Sequence, residues 1–398
     1  MKRILFVIPT LGAGGAEISL LMLLHLLSAR DDTQVDLLLF KQEGIFLSQV
    51  PKNVRILTAD DTLHTAYAPF SLKNCKTLQG AIISLLRPVS TVLAKVFTKS
   101  YNAQKQLRWI KCYRHLLRPM ATHYDYACGY LDAEATYYVV DKVSATCKFG
   151  WNHNDYVQLN NDSAIDAAYY QKLDKIITIS DRCTEILSRE FPQFCHKIHQ
   201  IPNIVMADYV ERRAELFYPE EYNAAKGLKL LSVGRLTEQK GFDMALDAAA
   251  ILKNNGVDFC WFIIGTGHLQ DTLQKQIDTL GLNDNVKLLG QRTNPYPYIK
   301  NADIFLQPSR FEGKSIVLTE AKLLCKPIIA TRYATVSDLI TDGIDGILAD
   351  MNGNSIAAAA EKLSADQHLC DLLCDNLRHQ RQQPSEEMKE NLALFELV

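Results

Sequence analysis

Short apolar runs separated by turn residues dominate the pattern along this chain. Residues 3–9 form a continuous apolar run, which is typical of a parallel strand buried on both faces. Similar runs recur at 35–40, 126–130, 176–179, 228–233, 259–264 and 302–306, and most are followed by stretches with helical periodicity. Alternating strands and helices indicate parallel sheets with right-handed crossovers. We therefore predict an α/β protein with two doubly wound, Rossmann-like domains.

The pattern also suggests where the domains begin and end. A chain of 398 residues is long enough for two cores. We predict an N-terminal domain at 1–203, a linker with local helix at 204–227 and a C-terminal domain at 228–375. A C-terminal helix at 376–398 is able to pack back on the first domain. Residues 1–203 hold 23 Lys and Arg against 18 Asp and Glu, and the remainder holds 20 against 27. This asymmetry suggests that the two domains have different partners.

Cysteine usage and the start of the chain indicate a cytoplasmic protein. The ten cysteines show no C-x2-C spacing of the kind that binds metal, so we interpret them as buried, reduced thiols. The first apolar run is cut off by the polar and glycine-rich segment from Gly12 to Glu17. We therefore interpret it as the first strand of a sheet rather than as a signal peptide.

A glycine loop follows this first strand and precedes a helix. Gly14 and Gly15 lack a Cβ atom, so the backbone can approach a ligand closely, as in phosphate-binding loops. A dinucleotide fingerprint requires a third glycine where Glu17 stands. It also requires an acidic residue at the end of the second strand, where the chain has Leu39 and Phe40. A tight turn needed only for packing is the alternative interpretation.

The segment from Arg310 to Glu320 predicts a strand, a sharp loop and a helix. Ligands of doubly wound sheets bind over such turns, where backbone N–H groups at the start of a helix attract anions. Glu312 and Glu320 flank this position, and carboxylates accept hydrogen bonds from sugar hydroxyls. An anion-binding turn between two carboxylates suits a nucleotide sugar. Two solvated charges without a common function are the alternative.

Two further segments place polar side chains after predicted strands. Arg235 and Lys240 follow the strand at 228–233, where an arginine fork and a lysine point charge suit phosphate oxygens. His153 follows the short strand that ends at Trp151, which is a position in the ligand crevice of such a sheet. Solvated cations and a structural histidine are the alternatives.

The most unusual stretch runs from Thr62 to Tyr124 and contains no Asp or Glu. Its cations are Lys73, Lys76, Arg87, Lys95, Lys99, Lys105, Arg108, Lys111, Arg114 and Arg118. Most of the stretch has a helical pattern, with Pro88 and Pro119 as breaks. Basic helices with leucines and a tryptophan on another face bind anionic membrane surfaces. A nucleic acid or a merely solvated basic face are the alternatives. We favour an anionic membrane and expect no nucleic acid. The residues expected to contact the membrane or a membrane-bound acceptor are Lys95, Lys99, Lys105, Arg108, Trp109, Lys111 and Arg114.

Three segments in this order carry a family resemblance. They are Gly14-Gly15-Ala16-Glu17, then Gly234-Arg235-Leu236 with Lys240-Gly241, then Glu312-Gly313 with Glu320-Ala321. In this order and spacing the chain resembles the retaining glycosyltransferases of family 4. The resemblance covers most of the chain. It implies the GT-B fold, in which two Rossmann-like domains face each other across a cleft.

The resemblance also implies roles for individual residues. The donor is a nucleotide-diphosphate sugar, with UDP the expected nucleotide, and the C-terminal domain binds most of it. Arg235 and Lys240 hold the diphosphate, and Glu320 accepts hydrogen bonds from the ribose hydroxyls. Glu312 lies near the donor sugar, and His153 lies in the cleft wall close to the reacting carbon.

The remaining implied contacts come from glycines and from the backbone. The backbone of Gly313, Lys314 and Ser315 contacts sugar or phosphate, while Gly14 and Gly15 let the first domain close on the donor. Many family members have Phe-Gly where this chain has Lys314-Ser315. The Glu-Gly-Lys-Ser form resembles members that build capsule, O-antigen or similar surface polysaccharides.

We therefore expect an enzyme that moves a hexose or N-acetylhexosamine to a lipid-linked oligosaccharide. It would act as a peripheral protein on the inner face of the cytoplasmic membrane, with retention at the anomeric carbon. No cofactor is expected, and no metal either, since the chain has no Asp-x-Asp sequence to hold one. Two alternatives stay open: a non-catalytic sugar-nucleotide sensor or scaffold, and a dinucleotide-dependent oxidoreductase.

Overall fold

The chain folds into two compact units, each built on its own parallel sheet. The computed structural model describes residues 1–12, 14–67, 77–98, 100–381 and 386–397. The first unit contains Met1–Ile204 together with Glu386–Val398, and the second contains Val205–Ser385.

The first unit contains a seven-stranded parallel sheet in the order β3-β2-β1-β4-β5-β6-β7. Its strands are β1 (Lys2–Ile8), β2 (Thr33–Leu39), β3 (Arg55–Leu57), β4 (His123–Gly129), β5 (Ser144–Asn152), β6 (Lys175–Thr178) and β7 (Ile198–Gln200). Residues 4–8 of β1 are fully buried because the strand lies inside the sheet and is covered on both faces. Its residue Ile4 pairs with Val35 of β2 on one side and with Tyr126 of β4 on the other.

Nine helices connect these strands within the described residues of the first unit. They are α1 (Gly15–Ser28), α2 (Asp61–Tyr67), α3 (Leu78–Phe97), α4 (Tyr101–Arg108), α5 (Arg114–Leu116), α6 (Glu134–Lys142), α7 (Tyr156–Leu159), α8 (Ser163–Tyr170) and α9 (Asp181–Glu190). A π-helical turn, Trp109–Tyr113, joins α4 to α5. The Ser180 hydroxyl accepts a hydrogen bond from the Cys183 amide and so caps α9.

Helix α3 differs from its prediction at Pro88. We expected a break there, but the helix runs through this residue from Leu78 to Phe97. A proline removes one backbone donor and usually bends a helix. Here the hydroxyl groups of Ser90 and Thr91 both donate to the Arg87 carbonyl, at 2.9 and 2.8 Å, and thus bond the backbone beside the proline.

The second unit contains a six-stranded parallel sheet in the order β10-β9-β8-β11-β12-β13. Its strands are β8 (Leu228–Val233), β9 (Phe259–Ile264), β10 (Val286–Gly290), β11 (Ile304–Gln307), β12 (Ile328–Thr331) and β13 (Ile347–Ala349). Its helices are α10 (Ala207–Ala214), α11 (Phe242–Asn254), α12 (Gln270–Thr279), α13 (Tyr296–Asn301), α14 (Ile316–Leu323), α15 (Gly353–Ala365) and α16 (Gln367–Arg381). Helix α11 buries Phe242, Ala245, Ala249 and Leu252, one side of a helix, against the sheet.

The order of strands in the second sheet reverses beside β8. Chain order proceeds outward through β9 and β10 on one side, while β11 pairs with β8 on the other. The carboxyl ends of β8 and β11 are therefore neighbours at the point where ligands of open α/β sheets bind. This topology brings the loop after Val233 beside the loop after Gln307.

The connecting segments pack more tightly than the sequence suggested. The predicted linker at 204–227 contains α10 and a 3₁₀ turn, Glu220–Ala224, and it buries Tyr209, Val210 and Tyr222. The Tyr222 hydroxyl donates to the Tyr298 carbonyl at 3.0 Å. Apolar burial and this hydrogen bond thus make most of the segment part of the second unit.

The predicted boundary at residue 375 falls inside α16, which continues to Arg381. The last helix, α17 (Glu386–Leu394), belongs to the first unit. There the Asn391 amide donates to the Pro202 carbonyl at 2.9 Å, and the Lys2 ammonium donates to the Phe395 carbonyl at 3.0 Å. Residues 386–397 therefore complete the fold of the first unit.

Candidate functional site

The loop after β8 is shaped by glycines that allow backbone segments to touch. Gly265 has φ +147°, and a Cβ atom there would lie 1.8 Å from the Gly234 carbonyl oxygen. A Cβ atom on Gly234 would meet the aliphatic chain of Lys240 at 3.2 Å. The loop thus folds closely over the end of β8, and the Lys240 side chain passes over it. Arg235 is exposed beside this turn.

Glu312 lies at the centre of a hydrogen-bond network over the ends of β8 and β11. Its Oε1 atom accepts from the Lys240 ammonium at 2.5 Å, from Ser309 Oγ at 2.7 Å and from Gln307 Nε2 at 2.9 Å. Its Oε2 atom lies 3.4 Å from Gln239 Nε2. The exposed fractions of the Lys240 and Glu312 side chains are only 15% and 9%. The two oppositely charged residues predicted from the sequence are thus in direct contact.

The loop that carries Glu312 is anchored on both sides. Arg310 donates to both carboxylate oxygens of Asp243, at 2.8 and 2.6 Å, and these hydrogen bonds lower the pKa of Asp243. Gly241 has φ +63°, and a Cβ atom there would lie 2.0 Å from the Pro308 carbonyl oxygen. Only glycine fits this contact between the start of α11 and the loop. These contacts hold the loop in one conformation.

The first backbone N–H groups of α14 make no capping hydrogen bond to the side chain of its N-cap residue. The hydroxyl of Ser315 makes no capping hydrogen bond and instead donates to Gln307 Oε1 at 2.9 Å. Thr335 Oγ1 lies 3.0 and 2.9 Å from the carbonyl oxygens of Glu312 and Gly313. Side chains thus hold the Gly313, Lys314 and Ser315 segment from behind, while the helix N-terminus is available to an anion.

Glu320 lies in the second turn of α14 and is nearly inaccessible, with 5% of its surface exposed. Burial raises the pKa of its carboxyl group to about 7, and a hydrogen bond from the Tyr296 hydroxyl at 2.9 Å partly offsets this effect. Near neutral pH this carboxyl group exists in both protonation states. Such a group forms strong hydrogen bonds with ligand hydroxyls because little water competes for it.

The edge of the second sheet therefore combines cations, an open helix N-terminus and two carboxylates. The cations and the helix start suit phosphate oxygens, while the carboxylates suit hydroxyl groups. Among the residues with described positions, no cluster of three or more His, Cys, Asp or Glu side chains is arranged to hold a metal ion. This combination favours a phosphorylated polyol, such as a nucleotide sugar.

In the first unit, the side-chain carboxylate of Glu17 lies against the glycine loop. Helix α1 begins at Gly15, and a Cβ atom on Gly14 would lie 2.1 Å from Glu17 Oε2. The Glu17 carboxylate thus folds back over the start of its own helix, as in a capping box. A phosphate at this helix end would meet that negative charge. A role of Gly14 and Gly15 in donor binding stays a prediction.

His153 lies directly after β5, where the sequence places it. Its ring stacks on Trp151, with 6.0 Å between centroids, and lies 4.8 Å from the ring of Tyr130. Burial lowers the pKa of His153 to about 3, so the ring is neutral near pH 7. Both ring nitrogens are buried without a hydrogen-bond partner of normal geometry. The ring is half-buried, its nitrogens are shielded from solvent, and it lies beside the Tyr130 backbone, which makes it a candidate for ligand contact.

Asp132 is a site residue that the sequence analysis missed. It follows β4, next to β5, and its Oδ2 atom accepts a hydrogen bond from Asn154 at 3.1 Å. Its Oδ1 atom is buried without a partner, and burial raises the pKa of the carboxyl group to about 7. The next residue, Ala133, has φ +57°, a conformation that non-glycine residues rarely adopt. The sequence indicated this residue only as an acidic residue shortly after the end of a predicted strand.

The indole nitrogen of Trp151 is also buried without a partner. Asp132, Trp151 and His153 thus place four unpartnered polar atoms after neighbouring strands β4 and β5. Buried polar groups are normally hydrogen-bonded, so this concentration makes the three residues candidates for ligand contact. We call these three residues the first-unit polar cluster.

The residues predicted to contact a membrane have different environments. Lys95 and Lys111 are exposed. The Lys105 ammonium lies 4.7 Å from the centre of the Tyr101 ring. Lys99 lies outside the described residues.

Two arginines of this set bond to neighbouring helices. Arg108 Nη1 lies 3.5 Å from Thr91 Oγ1 of α3. Arg114 Nε lies 3.9 Å from Asp141. Both side chains are thus partly engaged within the unit.

The prediction for Trp109 is wrong. Its side chain is fully buried, and its indole N–H donates to Asp141 at 3.0 Å. The ring packs near Tyr137 and Tyr138 in the core of the first unit. A tryptophan in a basic amphipathic stretch is typical of membrane contact, but here the turn after α4 directs it inward. It stabilises the unit and cannot lie on a membrane surface.

Comparison with known proteins identifies the fold of the chain and the family of its second unit. The crystal structure of Anabaena Alr3699/HepE in complex with UDP-glucose matches with a TM-score of 0.69 and 16% identity, covering 100% of this chain and 99% of that one. The chain has the GT-B fold of such glycosyltransferases. Residues 217–383 match the family model of Glycosyl transferases group 1. The second unit therefore contains a domain of that family.

Two relatives illustrate the setting of such domains. The amylovoran biosynthesis glycosyltransferase AmsK of Erwinia amylovora is 35% identical over 169 residues, which cover 39% of this chain and 41% of the relative. The N-acetylgalactosamine-N,N'-diacetylbacillosaminyl-diphospho-undecaprenol 4-alpha-N-acetylgalactosaminyltransferase of Campylobacter jejuni is 31% identical over 202 residues, covering 50% and 53%. The chain thus spans about half the length of these relatives.

Proposed function

We propose that this protein is a retaining glycosyltransferase that uses a UDP-sugar. It transfers a hexose or N-acetylhexosamine to a lipid-linked oligosaccharide during the synthesis of a surface polysaccharide. One observation carries the proposal: the ends of β8 and β11 bring Arg235, Lys240, Glu312 and the open start of α14 to one edge of the sheet. Glu320 lies on the same helix.

In this proposal the cations stabilise the leaving group. The departing nucleoside diphosphate gathers negative charge on its β-phosphate, and preorganised positive groups lower the barrier most where that charge develops. Arg235 and Lys240 bind these phosphate oxygens, and the N–H groups of α14 add their dipoles. The Lys240 ammonium is held by Glu312 before the donor arrives, so its position is set in advance. The HepE complex with UDP-glucose supports UDP as the nucleotide.

The transfer exchanges one bond at the anomeric carbon for another. The bond from this carbon to the β-phosphate oxygen breaks, and the acceptor hydroxyl oxygen bonds to the same face of the sugar. The hydroxyl proton passes to the departing phosphate oxygen, so charge and atoms balance. The resemblance to family 4 supports retention. Glu312 orients the sugar, Glu320 holds the ribose, and His153 contacts the sugar as a neutral ring.

The acceptor binds to the first unit in this proposal. The Campylobacter relative carries a diphospho-undecaprenol acceptor in its name, and AmsK acts in amylovoran biosynthesis. The first supports a lipid-linked acceptor for this chain, and the second supports a role in polysaccharide synthesis. The first-unit polar cluster offers unpartnered polar atoms that suit acceptor hydroxyls. The protein then works as a peripheral protein on the inner face of the cytoplasmic membrane, where such lipids meet soluble donors.

A donor panel tests the proposal. Purified protein is incubated with UDP-, GDP- and ADP-sugars and a membrane lipid extract, and released nucleoside diphosphate is measured with and without EDTA. We expect release with a single UDP-sugar, dependence on the lipid and no loss in EDTA, since the two cations replace a metal. Loss of release in EDTA would overturn metal independence. Donor binding without release across varied acceptors would favour the sensor instead.

The Glu312→Gln variant separates an enzyme from a sensor. It removes the negative charge near the donor sugar but leaves Arg235 and Glu320 in place. We expect turnover to fall about 100-fold or more, with donor affinity changed only a few-fold. Glu185→Gln, on the exposed surface of α9, is the matched control and should behave as wild type. Equal activity of the two variants would remove Glu312 from the mechanism.

A further inference from the structure

Helix α3 presents its large apolar side chains to solvent. We call these the α3 stripe, and they are Leu78, Ile82, Leu85, Leu86, Val89, Val92, Leu93, Val96 and Phe97. Their exposed fractions range from 36% at Ile82 to 79% at Leu78. With about 3.6 residues per turn, all nine fall on one side of the helix.

The opposite side of α3, which faces the protein, carries mostly small residues. Gly80, Ser84 and Ala94 are buried there, and Ile83 is the one large apolar residue among the buried positions described for this helix. Arg118 Nε donates to Gln79 Oε1 at 2.7 Å near the start of the helix. A surface helix of a soluble protein normally turns its apolar side inward. The polarity of α3 is therefore inverted, which indicates that something apolar covers the stripe.

The charges around the stripe identify what covers it. The chain has no Asp or Glu between Thr62 and Tyr124, so no carboxylate of this segment repels an anionic surface. Lys95 is exposed beside the stripe, Lys111 is exposed in the π-helical turn after α4, and Arg118 is exposed just after α5. An apolar face with cations at its margins is complementary to the headgroup and acyl boundary of an anionic bilayer.

The same features argue for a helix lying in the membrane plane. Within the described residues, α3 is the one helix long and apolar enough to cross a membrane by length and composition. A helix that crosses a membrane alone is surrounded by lipid on all sides, however. One side of α3 instead packs against α2 and α4. A second copy of this chain is a less suitable cover, since pairing two stripes would bring their basic margins together.

We propose that α3 inserts the α3 stripe into the surface of an anionic bilayer and holds the first unit there. This deepens the proposed function, because it states how the enzyme reaches a lipid-linked acceptor. It also changes which residues are expected to make the contact, from the basic residues and Trp109 to the apolar side chains of α3. Apolar insertion is not screened by salt, so part of the binding persists where ion pairing is lost.

Vesicle sedimentation tests the insertion with the full chain. Wild-type protein is mixed with phosphatidylglycerol–phosphatidylcholine vesicles or with phosphatidylcholine alone, at low salt and at about 1 M NaCl, where the Debye length is about 3 Å. We expect binding to the anionic vesicles that survives high salt in part. Failure of the wild-type protein to bind, or complete release at high salt, would overturn the proposal.

Two double variants isolate the stripe. Leu85→Gln/Val92→Gln removes two exposed apolar side chains without changing the charge, and we expect its partition coefficient to fall about tenfold or more. Leu216→Gln/Leu372→Gln makes the same change at exposed positions in the second unit and should bind as wild type. Equal binding by both double variants would overturn the proposal. Sedimentation equilibrium without lipid is the third measurement, and a wild-type dimer that the stripe variant loses would assign the stripe to a second copy instead.

Turnover with a detergent-solubilised acceptor separates this inference from the proposed function. If the stripe variant loses vesicle binding but keeps activity in detergent, the insertion and the proposed function are both supported. If the wild-type protein binds through the stripe but shows no transfer with any donor, the insertion stands and the proposed function fails. If transfer occurs and the stripe variant still binds vesicles, the insertion fails alone.

Discussion

If Glu320 holds the ribose as proposed, donor binding depends on pH, because this carboxyl group is buried and its pKa is raised to about 7. The ionised form accepts hydrogen bonds from ribose hydroxyls more strongly than the protonated form does. We expect the donor dissociation constant to rise as the pH falls below about 7. Calorimetric titration with a UDP-sugar measures the change, because its diphosphate is esterified at both ends and does not itself titrate in this range.

Two variants check the origin of that pH dependence. Glu320→Gln should weaken binding of the UDP-sugar about tenfold and remove its pH dependence, since an amide does not titrate. Tyr296→Phe removes the hydrogen bond that offsets burial, so the transition should move to higher pH. An unchanged pH profile in both variants would show that another group controls binding.

Substitution of Asp132 distinguishes a structural role of this residue from a role in binding the acceptor. Its pKa is raised to about 7 by burial, so between pH 4 and 7 the folded protein holds a proton that the unfolded chain releases. Stability therefore falls as the pH rises through this range. Asp132→Asn should remove that fall and raise the free energy of unfolding near pH 7.

If Asp132 also contacts the acceptor, its substitution has a second effect. We expect Asp132→Asn to lower kcat/KM for the acceptor about tenfold or more while UDP binding stays unchanged. Steady-state kinetics at fixed saturating donor measures this. A more stable variant with unchanged acceptor kinetics would leave Asp132 a structural residue only.

At the scale of elements, the loop that carries Glu312 depends on the glycine before α11. Gly241→Ala would bring a methyl group to 2.0 Å from the Pro308 carbonyl oxygen in addition to the cost of φ +63°. Gly256→Ala is the matched control, since φ there is +76° and no atom lies within 4 Å. The control should cost about 1 kcal/mol of stability and Gly241→Ala roughly 3 kcal/mol. Denaturant unfolding compares them, and equal losses would show that the loop moves freely away.

The elements also show what could be predicted from the sequence and why. Apolar runs and glycine turns identify β1, β8, β9 and β11, because parallel strands are buried on both faces. The contact of Lys240 with Glu312 depends on the order of the strands, which the pattern of elements does not specify and the structure supplies.

Burial within the basic stretch could not be predicted in the same way. Trp109 and the α3 stripe lie in one stretch of similar composition, yet the tryptophan is buried and the leucines are exposed. Which side of a helix faces the core is decided by tertiary packing and not by its period. Asp132 was missed for a related reason, since its significance comes from burial and the loss of hydrogen-bond partners, neither of which a local pattern reveals.

At the scale of the whole molecule, the first unit is completed by the end of the chain. Phe395 is fully buried, and its ring lies 5.9 Å from Phe6, 5.6 Å from Tyr126 and 6.0 Å from Phe149. We expect Phe395→Ala to reduce the free energy of unfolding by about 3–5 kcal/mol. Urea denaturation followed by circular dichroism checks this, with exposed Leu372→Ala as a control that should cost little. A small effect would mean that the C-terminal segment is an accessory to the core.

This return of the chain has a consequence for synthesis in the cell. Domains generally fold as they leave the ribosome, the N-terminal one first, at about 5–20 residues per second. The first unit here lacks Phe395 and its neighbours until residues 205–385 have been translated, which takes about 10–40 s at that rate. During this interval the nascent chain carries an unfinished core with its aromatic surface uncovered. The second unit, whose residues are contiguous, is therefore able to finish first, although it is made later.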